Sequence, residues 1–260
     1  MIQDSVWIPT KDGKKMEGLL RKPDGTGPFP AVVFVSGLGM TMHEGNNSFD
    51  EISKLLVAQG IMTVQFTFPI FDKNGLCREL PLMKRGEITR NVLSWVSGRN
   101  DVDKNRLGIL AQSYGAATVL GIHPEDVRTF LFVSGAYFPK QSIAQVYREK
   151  RVKLNYSGDT SLPRSSGENT TVGKNFWEDI EHFDDIGNAK QIHQPVFMAH
   201  GDQDSKIPVE HAQKVFDAIA SSTKRLKVYT GGDHGIVDVP RPLREEFLQD
   251  AVAWFKETLT

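Results

Sequence analysis

Several protein classes are excluded by what this chain lacks. A single cysteine, Cys77, occurs in 260 residues, so no intrachain disulfide can staple the fold and a disulfide-rich scaffold is ruled out. Charge of neither sign is in excess. The 31 Lys and Arg residues stand against 32 Asp and Glu, which is neither the basic footprint of a nucleic-acid binder nor the patch that attaches a protein to an anionic membrane. No apolar run is long enough to cross a bilayer. Residues 1–7 lack the basic and apolar regions of a secretory leader, so the expected location is the cytoplasm. Internal repeats and low-complexity tracts are missing too. What is present is ordinary for a globular protein: 39% hydrophobic and 24% charged residues. The length suits one large α/β domain, or such a core with an inserted cap.

Along the chain, strand-like and helix-like patterns alternate. Strands are predicted at Val6–Pro9 and Met16–Arg21, around a turn at Asp12-Gly13, and at Ala31–Val35, Ile61–Phe66, Arg106–Ala111, Phe130–Val133, Pro195–Ala199 and Leu226–Tyr229. The continuous apolar run Ala31–Val35 is expected of a strand covered on both faces. Helices are predicted from Phe49 to a break at Gln59-Gly60, over Glu87–Val96, from Gly115 to Leu120, over Val209–Ala220 and over Leu243–Leu259. This order argues for a mainly parallel, eight-stranded sheet with helices on both faces. The alternation stops between Ala136 and Gln194, a stretch too long for a simple connection. Residues 136–194 are therefore read as a cap-like insertion within a single 1–260 domain. Ser157–Thr171, rich in Gly, Ser, Thr and Asn, reads as a hairpin or a flap. Cys77 lies in Asn74–Glu79, which reads as a polar loop, and is given no reactive role.

Gly108–Ala117 is the strongest chemical signal. An apolar strand runs into Ser113 and then into the small residues Gly115, Ala116 and Ala117. Such a turn thrusts the serine above the sheet, and it requires small neighbours two positions away, here Ala111 and Gly115. Taken alone, Ser113 could equally cap a helix. A hydroxyl nucleophile needs a base, and of seven histidines His234 is best placed, between glycines just after the last predicted strand. The base needs an acid, and both Asp202 and Asp204 follow the Pro195–Ala199 strand. His200, at the end of that strand, reads as structural. The order Ser, Asp, His, each just after a strand, collects the three loops at the edge where open α/β sheets place their sites. For an oxyanion, the backbone N–H donors are assigned to Tyr114, after the nucleophile, and to Leu38, in the glycine-rich Ser36–Gly39 loop. No lysine follows that loop in the nucleotide-binding pattern.

These segments resemble the α/β-hydrolase superfamily along nearly the full chain. Ala111-Gln112-Ser113-Tyr114-Gly115 is similar to its G-x-S-x-G elbow, with Ala111 in place of the first glycine. Asp103–Leu110 resembles the dienelactone-hydrolase and prolyl-oligopeptidase-like branches. His200–Pro208 resembles the acid loop, in which the aspartate three residues after the glycine is catalytic; that implies Asp204 rather than Asp202. Gly232-Asp233-His234 resembles the histidine loop. Ser36 stands where many relatives carry histidine. The length and the insertion look most like the bacterial feruloyl (cinnamoyl) esterases, which implies a cover over the site that helps hold an aromatic acyl group.

The resemblance implies a serine esterase that cleaves small acyl or aryl esters through an acyl-enzyme, without metal or organic cofactor. Its expected partner is a small-molecule ester rather than nucleic acid or membrane, and the expected assembly is a monomer or homodimer. Tyr137, Phe138, Tyr147, Tyr156, Phe176, Trp177 and Phe183 in the insertion either line an acyl pocket or anchor the cap. Two other readings stay open: a small serine peptidase or acylaminoacyl hydrolase, and a non-catalytic binding protein on the same fold.

Overall fold

A computed structural model describes residues 1–11, 13–164 and 168–260. The chain opens with β1 (Ile2–Pro9), β2 (Lys15–Lys22), β3 (Phe29–Val35), α1 (Ser48–Ala58) and β4 (Met62–Phe66). It continues through β5 (Cys77–Arg78), α2 (Leu82–Ser97), β6 (Val102–Gln112), α3 (Tyr114–Leu120) and β7 (Thr129–Val133). Residues 136–194, the insertion expected from the sequence, hold α4 (Pro139–Glu149), β8 (Thr160–Pro163), β9 (Asn169–Val172), α5 (Lys174–Glu181) and α6 (Asp185–Ala189). The closing elements are β10 (Val196–Gly201), α7 (Val209–Ala218), β11 (Lys224–Tyr229) and α8 (Arg241–Leu259).

The main sheet has eight strands in the order β1-β2-β4-β3-β6-β7-β10-β11. β1, β2 and β4 pair antiparallel, and every pair from β4 to β11 is parallel. The fold is thus the α/β-hydrolase sheet. Asp12, in the expected β1–β2 turn, lies outside the described residues, as do Ser165, Ser166 and Gly167 of the expected Ser157–Thr171 hairpin. The rest of that hairpin forms: β8 and β9 pair antiparallel from Thr160↔Val172 to Pro163↔Asn169. β5 joins them in a small second sheet. Cys77 is buried in β5, not set in a polar loop, and burial pushes its thiol pKa up. The thiol is therefore protonated and shielded at neutral pH.

Side chains alternate across the sheet, and the two halves of that alternation make two cores. Val33, Val35, Ile109, Phe130, Phe132 and Met198 pack on one face with Val92 and Val96 of α2 and Val215 of α7. Val32, Phe34, Leu110, Leu131 and Phe197 pack on the other with Ile52 and Leu56 of α1 and Phe247, Trp254 and Phe255 of α8. Each such side chain contributes about 1.5–3 kcal/mol by leaving water. The Trp254 indole N–H donates to Phe130 O at 3.0 Å, so its polar atom is satisfied as well. A third cluster joins Tyr114 and Ala117 of α3 to Ile143, Tyr147, Leu162, Phe176 and Trp177 of the insertion. The insertion is thereby seated over the start of α3. Among the described residues, no helix is long and apolar enough to cross a membrane.

The sheet edge that carries the site depends on one close approach. A Cβ at Gly115 would fall on the carbonyls of Val35 and Ser36. Backbone atoms cannot give way there, so Gly115→Ala forces α3 away from β3. The expected outcome is a loss of roughly 1–3 kcal/mol, as overpacking costs elsewhere, read as a lower urea midpoint at unchanged slope.

Candidate active site

Ser113 occupies the sharp turn between β6 and α3 with φ 54 and ψ −122. A non-glycine residue there carries backbone strain, and hydrogen bonds hold it in place. Its N–H donates to Val133 O at 3.0 Å, and its carbonyl accepts from Ala116 N–H at 3.0 Å and Ala136 N–H at 2.9 Å. The side chain is left at the N-terminus of α3, where the first N–H groups have no intrahelical partner. The Tyr114 N–H is the first of these.

His234 stands above it. Its Nε2 lies 3.0 Å from Ser113 Oγ, and its Nδ1 lies 2.8 Å from Asp204 Oδ2. Burial alone would raise the Asp204 carboxyl; the hydrogen bond and charge of His234 and the Ile207 N–H more than offset it, so its pKa lies below the ordinary value. An ionised Asp204 fixes the proton on Nδ1 and leaves Nε2 free to accept from the serine. Asp204 Oδ1 takes the N–H groups of Lys206 and Ile207, at 2.9 and 3.0 Å.

The other acid candidate, Asp202, makes a different contact. Asp202 Oδ1 accepts the Gly231 N–H at 2.7 Å and so braces the loop that carries His234. The two loops touch along their backbones: Gln203 N–H donates to Gly232 O at 2.8 Å, and a Cβ at Gly201 would strike Gly232. Asp233 ties the far side through the N–H groups of Val237 and Asp238, at 2.8 and 3.0 Å. Ser134 Oγ accepts from Gly235 N–H at 2.9 Å. His200 is buried under the acid loop, its Nε2 2.9 Å from Ile207 O and 3.4 Å from Asp204 Oδ2. Burial lowers its pKa, so it is neutral. It supports the loop and does not face Ser113.

Leu38 lies between two braced glycines. Gly37 N–H donates to Glu44 Oε1 and Gly39 N–H to Glu79 Oε2, each at 2.6 Å. Among the described residues, no backbone acceptor takes the Leu38 N–H. Below the loop, Arg85 is fully buried. It donates to Glu79 Oε1 at 2.9 Å, Thr118 Oγ1 at 3.2 Å and Gly37 O at 3.4 Å, and also to Ser36 O. Its guanidinium lies 3.9 Å over the Phe68 ring. Glu79 is thus neutralised by a cation in contact. Glu44 is not, and burial pushes its carboxyl up to about 7 against the pull of the Gly37 N–H and Arg85.

Ser113, His234, Leu38 and Tyr114 open into one cavity of about 590 Å³. α4 closes it with Ile143, Val146 and Tyr147, and the β8–β9 hairpin with Pro163 and Arg164. Of the seven aromatics of the insertion, Tyr147 alone lines the cavity. Phe176 and Trp177 anchor the insertion on Tyr114, Tyr137 joins the core under the sheet, and Tyr156 is exposed. Glu44, Glu79 and Arg85 are the residues that sequence reasoning missed. Arg85 had a signal: it falls three and seven residues before Ile88 and Val92, on the buried stripe of α2. A charge on such a stripe needs a buried partner. Glu44 had none.

Residues 89–260, which hold the loops of Ser113, Asp204 and His234, match the prolyl oligopeptidase family. The uncharacterized protein YfhR of Escherichia coli (strain K12) is 24% identical over 238 residues, covering 89% of this chain and 73% of that protein. Est1E from Butyrivibrio proteoclasticus, solved with ferulic acid bound, superposes with a TM-score of 0.78 at 17% identity, over 97% of this chain and 98% of that one. The esterase domain of a Rhodothermus marinus protein superposes with a TM-score of 0.74 at 17% identity over 100% of both chains. These two structures share the fold. With a family match spanning more than half of its length, the chain belongs to the prolyl oligopeptidase family and is a serine hydrolase of the α/β-hydrolase fold.

Proposed function

We propose that the protein is a carboxylesterase for small acyl or aryl esters, with Ser113 as nucleophile, His234 as base and Asp204 as the orienting acid. The observation that carries this reading is the continuous hydrogen-bonded line from Asp204 through His234 to Ser113 at the floor of a cavity. Ser113 Oγ attacks the ester carbonyl carbon as His234 Nε2 takes its proton. The carbonyl oxygen gains negative charge and is met by the N–H groups of Leu38 and Tyr114. His234 returns the proton to the departing alcohol. Water then attacks the acyl-serine with His234 again as base, releasing the acid and restoring Ser113. The chain's own residues supply every proton transfer in this cycle.

The cavity argues for small substrates. Its volume of about 590 Å³ is in the range of small-molecule sites. Leu38, Met40, Ile143, Val146 and Tyr147 give it an apolar wall suited to an acyl chain or aryl ring. A feruloyl-type acyl group is the finer form of this proposal, supported by the insertion and by the likeness to Est1E. Family membership favours a second reading, a small peptidase or acylaminoacyl hydrolase. The same residues would serve both, since an amide passes through the same tetrahedral and acyl-serine stages.

Wild-type protein is expected to hydrolyse p-nitrophenyl acetate and butyrate, and methyl ferulate, whereas Ser113→Ala loses turnover of all of them. Cleavage of aminoacyl p-nitroanilides without cleavage of the esters would replace the esterase reading with the peptidase one. Turnover that survives in Ser113→Ala would remove both. Asp204→Asn is expected to keep the fold and lower kcat by roughly three to four orders of magnitude, because the neutral amide favours the wrong imidazole tautomer. Stopped assays on protein whose circular dichroism matches wild type would check this.

A further inference from the structure

Two buried carboxyl groups brace the loop that carries Leu38, and they are not equivalent. Glu79 holds Gly39 N–H and has the Arg85 guanidinium 2.9 Å from its other oxygen. Glu44 holds Gly37 N–H at 2.6 Å. Among the described residues, no cation comes within ion-pairing distance of it. The groups whose charge reaches it are Arg85, from α2 below, and Lys206, from the acid loop opposite. His234 and Asp238 share the same cavity. Glu44 also keeps a backbone conformation, φ 56 and ψ −176, that side chains rarely adopt. Strain of this kind persists where the surroundings over-determine it.

The carboxyl is close to the reacting atoms. A methyl group built on Gly37 would lie 2.9 Å from Glu44 Oε1 and 3.2 Å from Ser113 Cβ. Glu44 and the nucleophile thus flank the same small space beside the oxyanion donors. A carboxylate there would oppose the negative charge that develops on the substrate oxygen, in a site where little water screens it. A carboxylic acid would keep the Gly37 contact without that opposition.

We propose that Glu44 is a positioning residue that serves the site as a neutral carboxylic acid: it fixes the oxyanion loop through Gly37 N–H and, uncharged, leaves the hole free to accept negative charge. This rests on Ser113 being the nucleophile. Its consequence is an alkaline limit on activity that belongs to Glu44 and not to His234. The raised carboxyl pKa agrees with it. The sign follows from linkage. Because the folded-state value, about 7, lies above the ordinary 4.5, the stability owed to the protonated group is complete below 4.5. It is lost as pH rises through about 7.

The test is the rate at which a fluorophosphonate modifies Ser113, measured for wild type, Glu44→Gln and Glu44→Ala. In that reaction the Ser113 Oγ–P bond forms as the P–F bond breaks, fluoride leaves, His234 takes the serine proton, and the phosphonyl oxygen occupies the oxyanion site. Glutamine keeps an acceptor for Gly37 N–H and cannot ionise. The ratio of the Glu44→Gln rate to the wild-type rate is expected to rise about tenfold between about pH 6 and pH 8, since the neutral fraction of a group titrating near 7 falls by that factor. Glu44→Ala, without an acceptor, is expected to be slow at both. Thermal melting is expected to place Glu44→Gln above wild type at about pH 8, with a smaller difference at about pH 5. A ratio that stays constant, with Ser113 labelled in both proteins, overturns the role of Glu44 and leaves the nucleophile in place. A Glu44→Gln protein that melts below wild type at about pH 8 overturns it as well. Absence of Ser113 labelling in wild type at either pH overturns the nucleophile and this proposal together.

Discussion

The Arg85 guanidinium lies beneath the loop after β3, and the order of the site traces back to that buried cation. It reaches Ser36 O and Gly37 O in the loop, Glu79 before α2 and Thr118 in α3, with the Phe68 ring against its face. Removing a guanidinium from water is costly, and the cost is offset only when its donors are taken up. Here the acceptors belong to the segments that must meet if Leu38 is to face Ser113. The same constraint explains how the loop does without a histidine at position 36. Its shape is imposed from below by Arg85 and from the flanks by Glu79 and Glu44, not by a side chain at its own start.

Two carboxyl groups within one site are driven in opposite directions by their surroundings, and a third is held in an ion pair. Asp204 is buried, but the imidazole of His234 and the Ile207 N–H keep it ionised. Glu79 is neutralised by direct contact with Arg85. Glu44 has a hydrogen bond and no contacting cation, and desolvation prevails. Environments that push like groups apart allow one pocket to divide tasks among identical functional groups.

The inner strands of the main sheet were legible in the sequence because their residues are buried on one or both faces over several positions, whereas the edge strands β1 and β11 each bury one residue and were marked by their neighbouring turns. The continuous runs of β3 and β7 are the clearest. The loops of Ser113, Asp204 and His234 were legible for a related reason: each follows a strand directly, so locating the strand locates the loop. The insertion was seen only as a break in the pattern. α6 has five residues, and β8 and β9 four each, too short for a period to emerge, and their burial depends on partners distant in sequence: Leu162 and Val172 cluster with Tyr114 and Ala117 of α3, and α6 packs on α7. Cys77 misled because its polar neighbours suggest exposure, whereas pairing of β5 with β9, almost a hundred residues later in the chain, buries it. The choice of Asp204 over Asp202 came from resemblance; spacing alone left both open, and the contact to Gly231 N–H now explains what Asp202 does. Glu44 and Glu79 act across loops, and no local pattern encodes such a partnership.

The hairpin of the insertion does more than roof the cavity. Arg164 Nη1 donates to Gly39 O at 2.6 Å, across 125 residues of chain, and a Cβ at Gly39 would meet Thr170 of β9. The roof is therefore fastened to the same loop that carries Leu38. On the proposed roles of Ser113 and Leu38, access to the nucleophile and readiness to stabilise charge are mechanically one variable: lifting the hairpin would pull on Gly39 and loosen the N–H beside it. Ile143 and Tyr147 of the α4 wall share that fastening, since they cluster with Leu162 and Val172 of the hairpin and Leu38 packs against the cluster, so wall, roof and loop would have to shift together to take a wider substrate.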